Sequence, residues 1–202
     1  MNARNVSVFG WASLGLLCCL TAFAGMRGSG AGPVVATPSQ VTISPETGLR
    51  LWRGRPLTGE VQAFHDNGTL ARVEPFVDGR REGRMRIWFP DGALAYSSIH
   101  RGGRRHGVTT SWWPNGRMRS QTTYVDDQPH GIAQSWYRGG ERFKRLSYAM
   151  GQPVGVQQGW RTNGKLFSNF EYRDGRAYGL RNASLCVELE DENIMLSPYD
   201  DL

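Results

Sequence analysis

The chain has 202 residues, 39% of them apolar, and a formal net charge of +6; length and composition admit either one compact domain or a short repeat array. Cysteine usage is more restrictive: Cys18 and Cys19 lie in the first apolar stretch, so once that stretch is removed Cys186 stands alone and no intramolecular disulfide can form. The positive charge is mostly arginine scattered along the chain, whereas Glu188, Glu190, Asp191, Glu192, Asp200 and Asp201 make residues 188–202 an acidic C-terminal tail without Lys or Arg.

In chain order, residues 1–24 come first. Arg4, the apolar stretch from Val6 to Phe23 and the small-x-small triplet Ala22-Phe23-Ala24 predict an export signal, with a retained membrane-anchor helix as the alternative. Leu17 before Cys18 fits a lipid-attachment site poorly. Residues 25–47, rich in Gly, Pro, Ser and Thr, are expected to form a flexible linker.

From 48 to 187 the sequence repeats. Glycine recurs at Gly59, Gly83, Gly107, Gly131, Gly155 and Gly179, a period of 24 residues. Turn dipeptides ending in Gly68, Gly92, Gly116, Gly140 and Gly164 keep the same beat. So do Phe64, Trp88, Trp112, Trp136 and Trp160, the column Leu70, Leu94, Met118 and Leu166, and the column Phe76, Tyr124, Tyr148 and Tyr172, which His100 interrupts.

Asn-Gly or Asp-Gly between short runs of aromatic and branched residues is a hairpin signal, because the turn needs a positive φ that glycine adopts freely. A second turn at Gly79, Gly103, Gly151 and Gly175 leads to the next unit. The expected fold is therefore all-β, a single-layer antiparallel meander of repeated hairpins behind the N-terminal signal or anchor helix. Pro90 and Pro114 suggest a type I turn closed by a left-handed glycine, which sets Trp88 across from Leu94. Counting by twos from that pair puts the tryptophan, Leu94-type and Tyr124-type columns on one face, with Phe89, Trp113 and Tyr137 on the other. Leu49-Arg50-Leu51-Trp52 reads as a capping half-unit, and Leu180 to Leu189 as a closing strand.

The pattern Gly-x4-Trp-x2-Asn-Gly-x-Leu/Met-x5-Tyr-x2-Gly-x3-Gly, read from Gly107 to Gly131 with one variation, resembles the MORN-variant repeat (membrane occupation and recognition nexus). The resemblance covers about 49 to 187. It implies a meander of hairpins serving as a scaffold for protein partners, in some members linked to membrane lipid; bacterial relatives are often catalogued as antitoxin components. The departures are Gly139 for the turn Asn, Arg142 in the leucine column and Gly159 beside Trp160.

No catalytic constellation emerges, so the chain is read as a non-enzyme without cofactor or metal. His106 and His130 share a repeat position but lie two strands apart, about 9.6 Å, too far for a zinc pair without further ligands. Cys186 reads as a strand residue without a nearby general base. The Asp126-Asp127 pair reads as a turn. The expected partner is a protein bound through Phe89, Trp113, Tyr137 and Arg138 at the envelope or outside the cell, with an anionic membrane surface as the alternative and nucleic acid not expected.

Overall fold

The structure, a computed structural model, describes residues 33–180. The 1–24 segment with its expected helix, Cys186 and the acidic tail lie outside the described residues, as does all but the first residue of the expected closing strand Leu180 to Leu189. Four strands precede the repeats: β1 (Val34–Ala36), β2 (Val41–Ile43), β3 (Arg50–Trp52) and β4 (Arg55–Pro56). Each full repeat then supplies a six-residue, an eight-residue and a two-residue strand. These are β5 (Gly59–Phe64), β6 (Leu70–Val77) and β7 (Arg80–Arg81), then β8 (Gly83–Trp88), β9 (Leu94–Arg101) and β10 (Arg104–Arg105). They continue as β11 (Gly107–Trp112), β12 (Met118–Val125) and β13 (Gln128–Pro129), then β14 (Gly131–Trp136), β15 (Arg142–Ala149) and β16 (Gln152–Pro153). The last set is β17 (Gly155–Trp160), β18 (Leu166–Arg173) and β19 (Arg176–Leu180), the final strand running unbroken where the others stop after two residues.

The six- and eight-residue strands pair with their chain neighbours in one long antiparallel meander, β5 to β19, whose path does not close on itself. Each turn is dictated by local chemistry. At the first, the Gly92 amide donates to the Phe89 carbonyl and the Phe89 amide to the Ala93 carbonyl, both at 2.8 Å, with Gly92 at φ +85°. This is the type I turn with a left-handed glycine that Pro90 suggested. Asp91 accepts the Ala93 amide at 2.9 Å, and Asn67, Asn115 and Asn163 do the same in their own repeats. The second turn needs positive φ at two successive residues, the type I′ signature: Asp78 and Gly79 at +48° and +78°, Asp126 and Asp127 at +48° and +68°.

The pairing also settles which side chains share a face, and here one expectation is corrected. Trp88 does lie opposite Leu94, but Ile87 pairs with Tyr96, so Ala95 is an extra residue in the ladder. The same shift recurs before Phe64, Trp112, Trp136 and Trp160. A bulge reverses the alternation beyond it. Gly107 pairs with Tyr124 and Ser111 with Ser120, while Trp112 pairs with Met118 on the opposite side. The tryptophan and Leu94-type columns therefore share one face, and the tyrosine column joins Phe89, Trp113 and Tyr137 on the other.

The stretch expected as a flexible linker is ordered from its middle onward. Val34, Val35 and Ala36 form β1, paired in parallel with β5, and Val41–Ile43 pairs with β3 in a separate three-stranded sheet with β4. The reason is the branched residues that composition averaged away: Val34, Val41 and Trp52 pack on the buried Leu57, Val61 and Phe76. The expected half-unit at Leu49 to Trp52 pairs in that separate sheet and touches the first repeat through the Arg50 amide, which donates to the Gly79 carbonyl at 2.9 Å, while β1 is the strand that pairs along β5. Gly59 permits the approach of β1, since a Cβ there would overlap the Val34 backbone.

Met150 occupies the first position of a type I′ turn at φ +45°, where Asp78, Gly102, Asp126 and Asp174 stand in the other repeats, and it is 50% exposed. A left-handed residue with a long side chain costs about 1 kcal/mol that Asn largely avoids. Met150→Asn is expected to raise the urea midpoint by an amount worth about 1 kcal/mol; an unchanged or lower midpoint would contradict the strain.

Candidate functional site

The tyrosine face is packed and internally satisfied. Glu74, 4% exposed, is held between Arg72 Nε at 2.9 Å and Arg81 Nε at 2.8 Å. One repeat further, Arg105 Nε donates to Asp127 Oδ1 at 2.9 Å while its guanidinium lies over the Tyr124 ring. His100, the interruption in the tyrosine column, is 7% exposed among these groups. Burial and then the charge of Arg81 push its imidazole below the ordinary value. Burial pushes the Asp127 carboxyl up, but the hydrogen bonds and charge of Arg105 outweigh it, so the net shift is downward. Tyr148 is raised by burial and then by Tyr124 and Tyr172, its neighbours in the column.

At both ends of the strands, side chains reach across to the next repeat. Near the first turn, Trp113 Nε1 donates to the Trp136 carbonyl at 3.1 Å and Tyr137 Oη to the Trp160 carbonyl at 2.8 Å. His65 Nε2, at the equivalent position, lies 2.9 Å from the Trp88 carbonyl; only a protonated Nε2 can bond to it. Asn67 and Asn115 likewise donate to the carbonyls of Pro90 and Arg138. At the other end, Thr58, Glu82 and His130 accept the amides of Asp78, Gly102 and Met150, each twenty residues on in sequence. His106 Nδ1 lies 3.5 Å from Asp126 Oδ1, at ion-pair distance and without a hydrogen bond. The two histidines weighed for metal thus face turn groups of the following repeat.

The tryptophan face differs in kind. Trp88, Trp112, Trp136 and Trp160 are half-buried. Around them lie exposed large apolar residues: Phe64 at 57%, Val108 at 41%, Ile132 at 45%, Val156 at 39%, Leu166 at 41% and Tyr178 at 53%. The register places all six on this face: Val108, Ile132 and Val156 alternate with the tryptophans, Phe64 pairs with Leu70, Leu166 with Trp160, and Tyr178 with Glu171. Arg86 lies over the Trp88 ring at 5.7 Å and Arg142 over Trp160 at 6.0 Å. Arg142, Arg145, Trp136 and Gln134 line a shallow depression. Among the described residues, Arg86, Arg142 and Arg145 form no salt bridge, whereas Arg72, Arg81 and Arg105 on the tyrosine face all do.

The residues proposed from sequence as partner-binding divide accordingly. Trp113 and Tyr137 spend their polar tips on the next repeat, Tyr137 also packs on Phe143 with ring centroids 4.8 Å apart, and Arg138 lends its carbonyl to Asn115. Phe89 is half-buried beside its turn. The column Val108, Ile132 and Val156 was passed over in sequence, although its signal was present: a branched residue directly after the repeat glycine, three times running at the repeat period.

The family model described as the MORN repeat variant matches residues 57–78 and 105–126. No curated protein matches the chain. Among solved structures, a TarM mutant of S. aureus in complex with fondaparinux, alpha-GlcNAc-glycerol and UDP is 10% identical over 50% of this chain and 20% of that one, with a TM-score of 0.31. A second TarM crystal structure is 11% identical over 55% and 21%, with a TM-score of 0.32. This chain thus spans about a fifth of the length of both, and at those scores no common overall fold follows.

Two outcomes test the tyrosine face and its stitches. Tyr137→Phe keeps the ring and removes the donor to the Trp160 carbonyl, with an expected cost of about 1 kcal/mol in the urea midpoint. Because burial and the charge of Arg81 lower the His100 pKa in the folded state while the unfolded chain protonates it below about pH 6.5, stability is full above that pH and falls as pH drops through it. His100→Tyr, which restores the column, is expected to flatten the urea midpoint between about pH 7.5 and 5.5; a decline as steep as in the parent would assign it elsewhere.

Proposed function

We propose that this chain, two segments of which match the MORN repeat variant, is a non-catalytic scaffold binding a protein partner through the tryptophan face. One observation carries the reading: most of the exposed large apolar side chains of the repeat array gather on that face, together with arginines that no carboxylate among the described residues neutralises. Contiguous exposed apolar surface marks interaction sites, and arginine with aromatic rings is the composition enriched in interface cores. Repetition suits this use, since stacked units build a broad surface from small equal contributions. The expected export segment at 1–24 supports placing the scaffold at the cell envelope or outside the cell. A second reading, docking on an anionic phospholipid surface, is favoured by Arg86, Arg142 and Arg145. The antitoxin reading draws on neither observation.

The double variant Ile132→Asp with Val156→Asp changes two exposed positions and so preserves folding. Capture of a partner from an envelope fraction by the full chain is expected to be lost in this variant and kept in Tyr137→Phe. Equal capture by both would discard the tryptophan face. Flotation with anionic liposomes at low salt separates the second reading, which requires binding that salt abolishes.

A further inference from the structure

We propose that the acidic tail of this chain, residues 188–202, docks on the tryptophan face of the last two repeats and competes there with the partner; the competition rests on the reading above, the docking does not. The surface comprises Trp136, Arg142, Arg145, Trp160 and Leu166, flanked by the exposed Ile132 and Val156. Its arginines have no carboxylate partner among the described residues, and Glu171, an acid on the same face, is bound to Arg173 at 2.6 Å. The tail supplies what this surface lacks. It opens on Glu188, Glu190, Asp191 and Glu192, continues through the apolar Ile194, Met195 and Leu196, and closes on Tyr199, Asp200 and Asp201. Acidic, apolar and acidic segments in that order match a surface where arginines adjoin tryptophan and branched aliphatic groups.

Reach is ample. The described chain stops at Leu180, the end of β19, and β15, which bears Arg142 and Arg145, lies three strands away in the order β15-β17-β18-β19. Three spacings of about 4.8 Å amount to roughly 14 Å. The eight residues from Leu180 to Glu188 can span roughly 26 Å at about 3.3 Å each. A second copy would be a poorer occupant, because like faces brought together set arginine against arginine. The tyrosine face would be poorer as well, since Glu74 and Asp127 already engage its Arg72, Arg81 and Arg105.

The test uses the full chain with the photo-crosslinking residue p-benzoylphenylalanine in place of Tyr199. Irradiated at low salt and mapped by mass spectrometry, it is expected to join the tail to peptides containing Trp136, Arg142 or Trp160 within one molecule. The yield is expected to fall severalfold at high salt and in Arg142→Glu with Arg145→Glu, whose unchanged urea midpoint shows that the array is intact. Cross-links to the tyrosine face, cross-links between two copies, or a yield indifferent to salt and to charge reversal would each overturn the proposal. Partner capture is not read in this experiment, so loss of the scaffold reading and loss of tail docking remain separate results. If both hold, neutralising Glu188, Glu190, Asp191 and Glu192 to amides in the full chain raises partner capture; unchanged capture overturns the competition and leaves the docking.

Discussion

A one-residue bulge, placed identically in every unit, determines what each surface of this protein can do. Hydrogen bonding between strands fixes the partner of each residue, and alternation then fixes its side, so a single extra residue in the partner strand, across from the step into Phe64 or the tryptophan, sends the rest of the strand to the opposite face. Without it, Trp112 and Tyr124 would share a face. With it, Tyr124 faces Arg105 and the buried polar groups around His100, and Trp112 faces Met118 and the exposed branched residues. The bulge also makes room for variation: where Gly159 replaces the larger residues of its column, the ring of the bulge residue Phe167 fills the space, and a Cβ at Gly159 would come within 2.9 Å of it. Arg142 is accommodated in a comparable way. Standing in the leucine column, it leans over Trp160 of the following repeat and keeps its charge in water.

Much of this was legible because turns have a chemistry of their own. The period, the two turns and the Trp88 to Leu94 pairing follow from Pro, Asn, Asp and Gly at fixed offsets, whose backbone preferences act over four residues and need no tertiary information. The bulge left no such mark. Its positions hold Ala71, Ala95, Arg119, Phe143 and Phe167, a series without common chemistry, because the residue is defined by what the ladder does around it. The ordered segment Val34–Ile43 was hidden for another reason: composition averaged over 25–47 obscures Val34 and Val41, which gain their burial only from Leu57, Val61 and Phe76 later in the chain. The inter-repeat bonds of Trp113 and Tyr137 were out of reach in the same sense. An aromatic at a hairpin end looks available until the adjacent carbonyl is known.

Those bonds explain how a single layer of sheet holds together when its buried groups include Ser98, Thr109, Ser111 and Gln157. Several units donate to or accept from the next at one or both ends of their strands, so these neighbouring hairpins are tied by direct side-chain-to-backbone contacts as well as by the ladder. Cohesion of this kind is nearest-neighbour in character, and repeats can differ in sequence while keeping the tie. Thr58, Glu82 and His130 share nothing but an acceptor at the right place, and that is sufficient.

The two faces divide the charge to different ends. On the tyrosine face, burial makes an unpaired guanidinium expensive, so Arg72, Arg81 and Arg105 each have a carboxylate. On the tryptophan face water stabilises Arg86, Arg142 and Arg145, and no partner within the fold is needed. That freedom is what makes this face useful: an arginine already neutralised at home contributes little to recognition, whereas one held beside a half-exposed tryptophan adds charge and planar contact to whatever covers the apolar surface. A covering group with carboxylates gains both contributions at once. On the opposite face Arg72, Arg81 and Arg105 are already engaged by carboxylates.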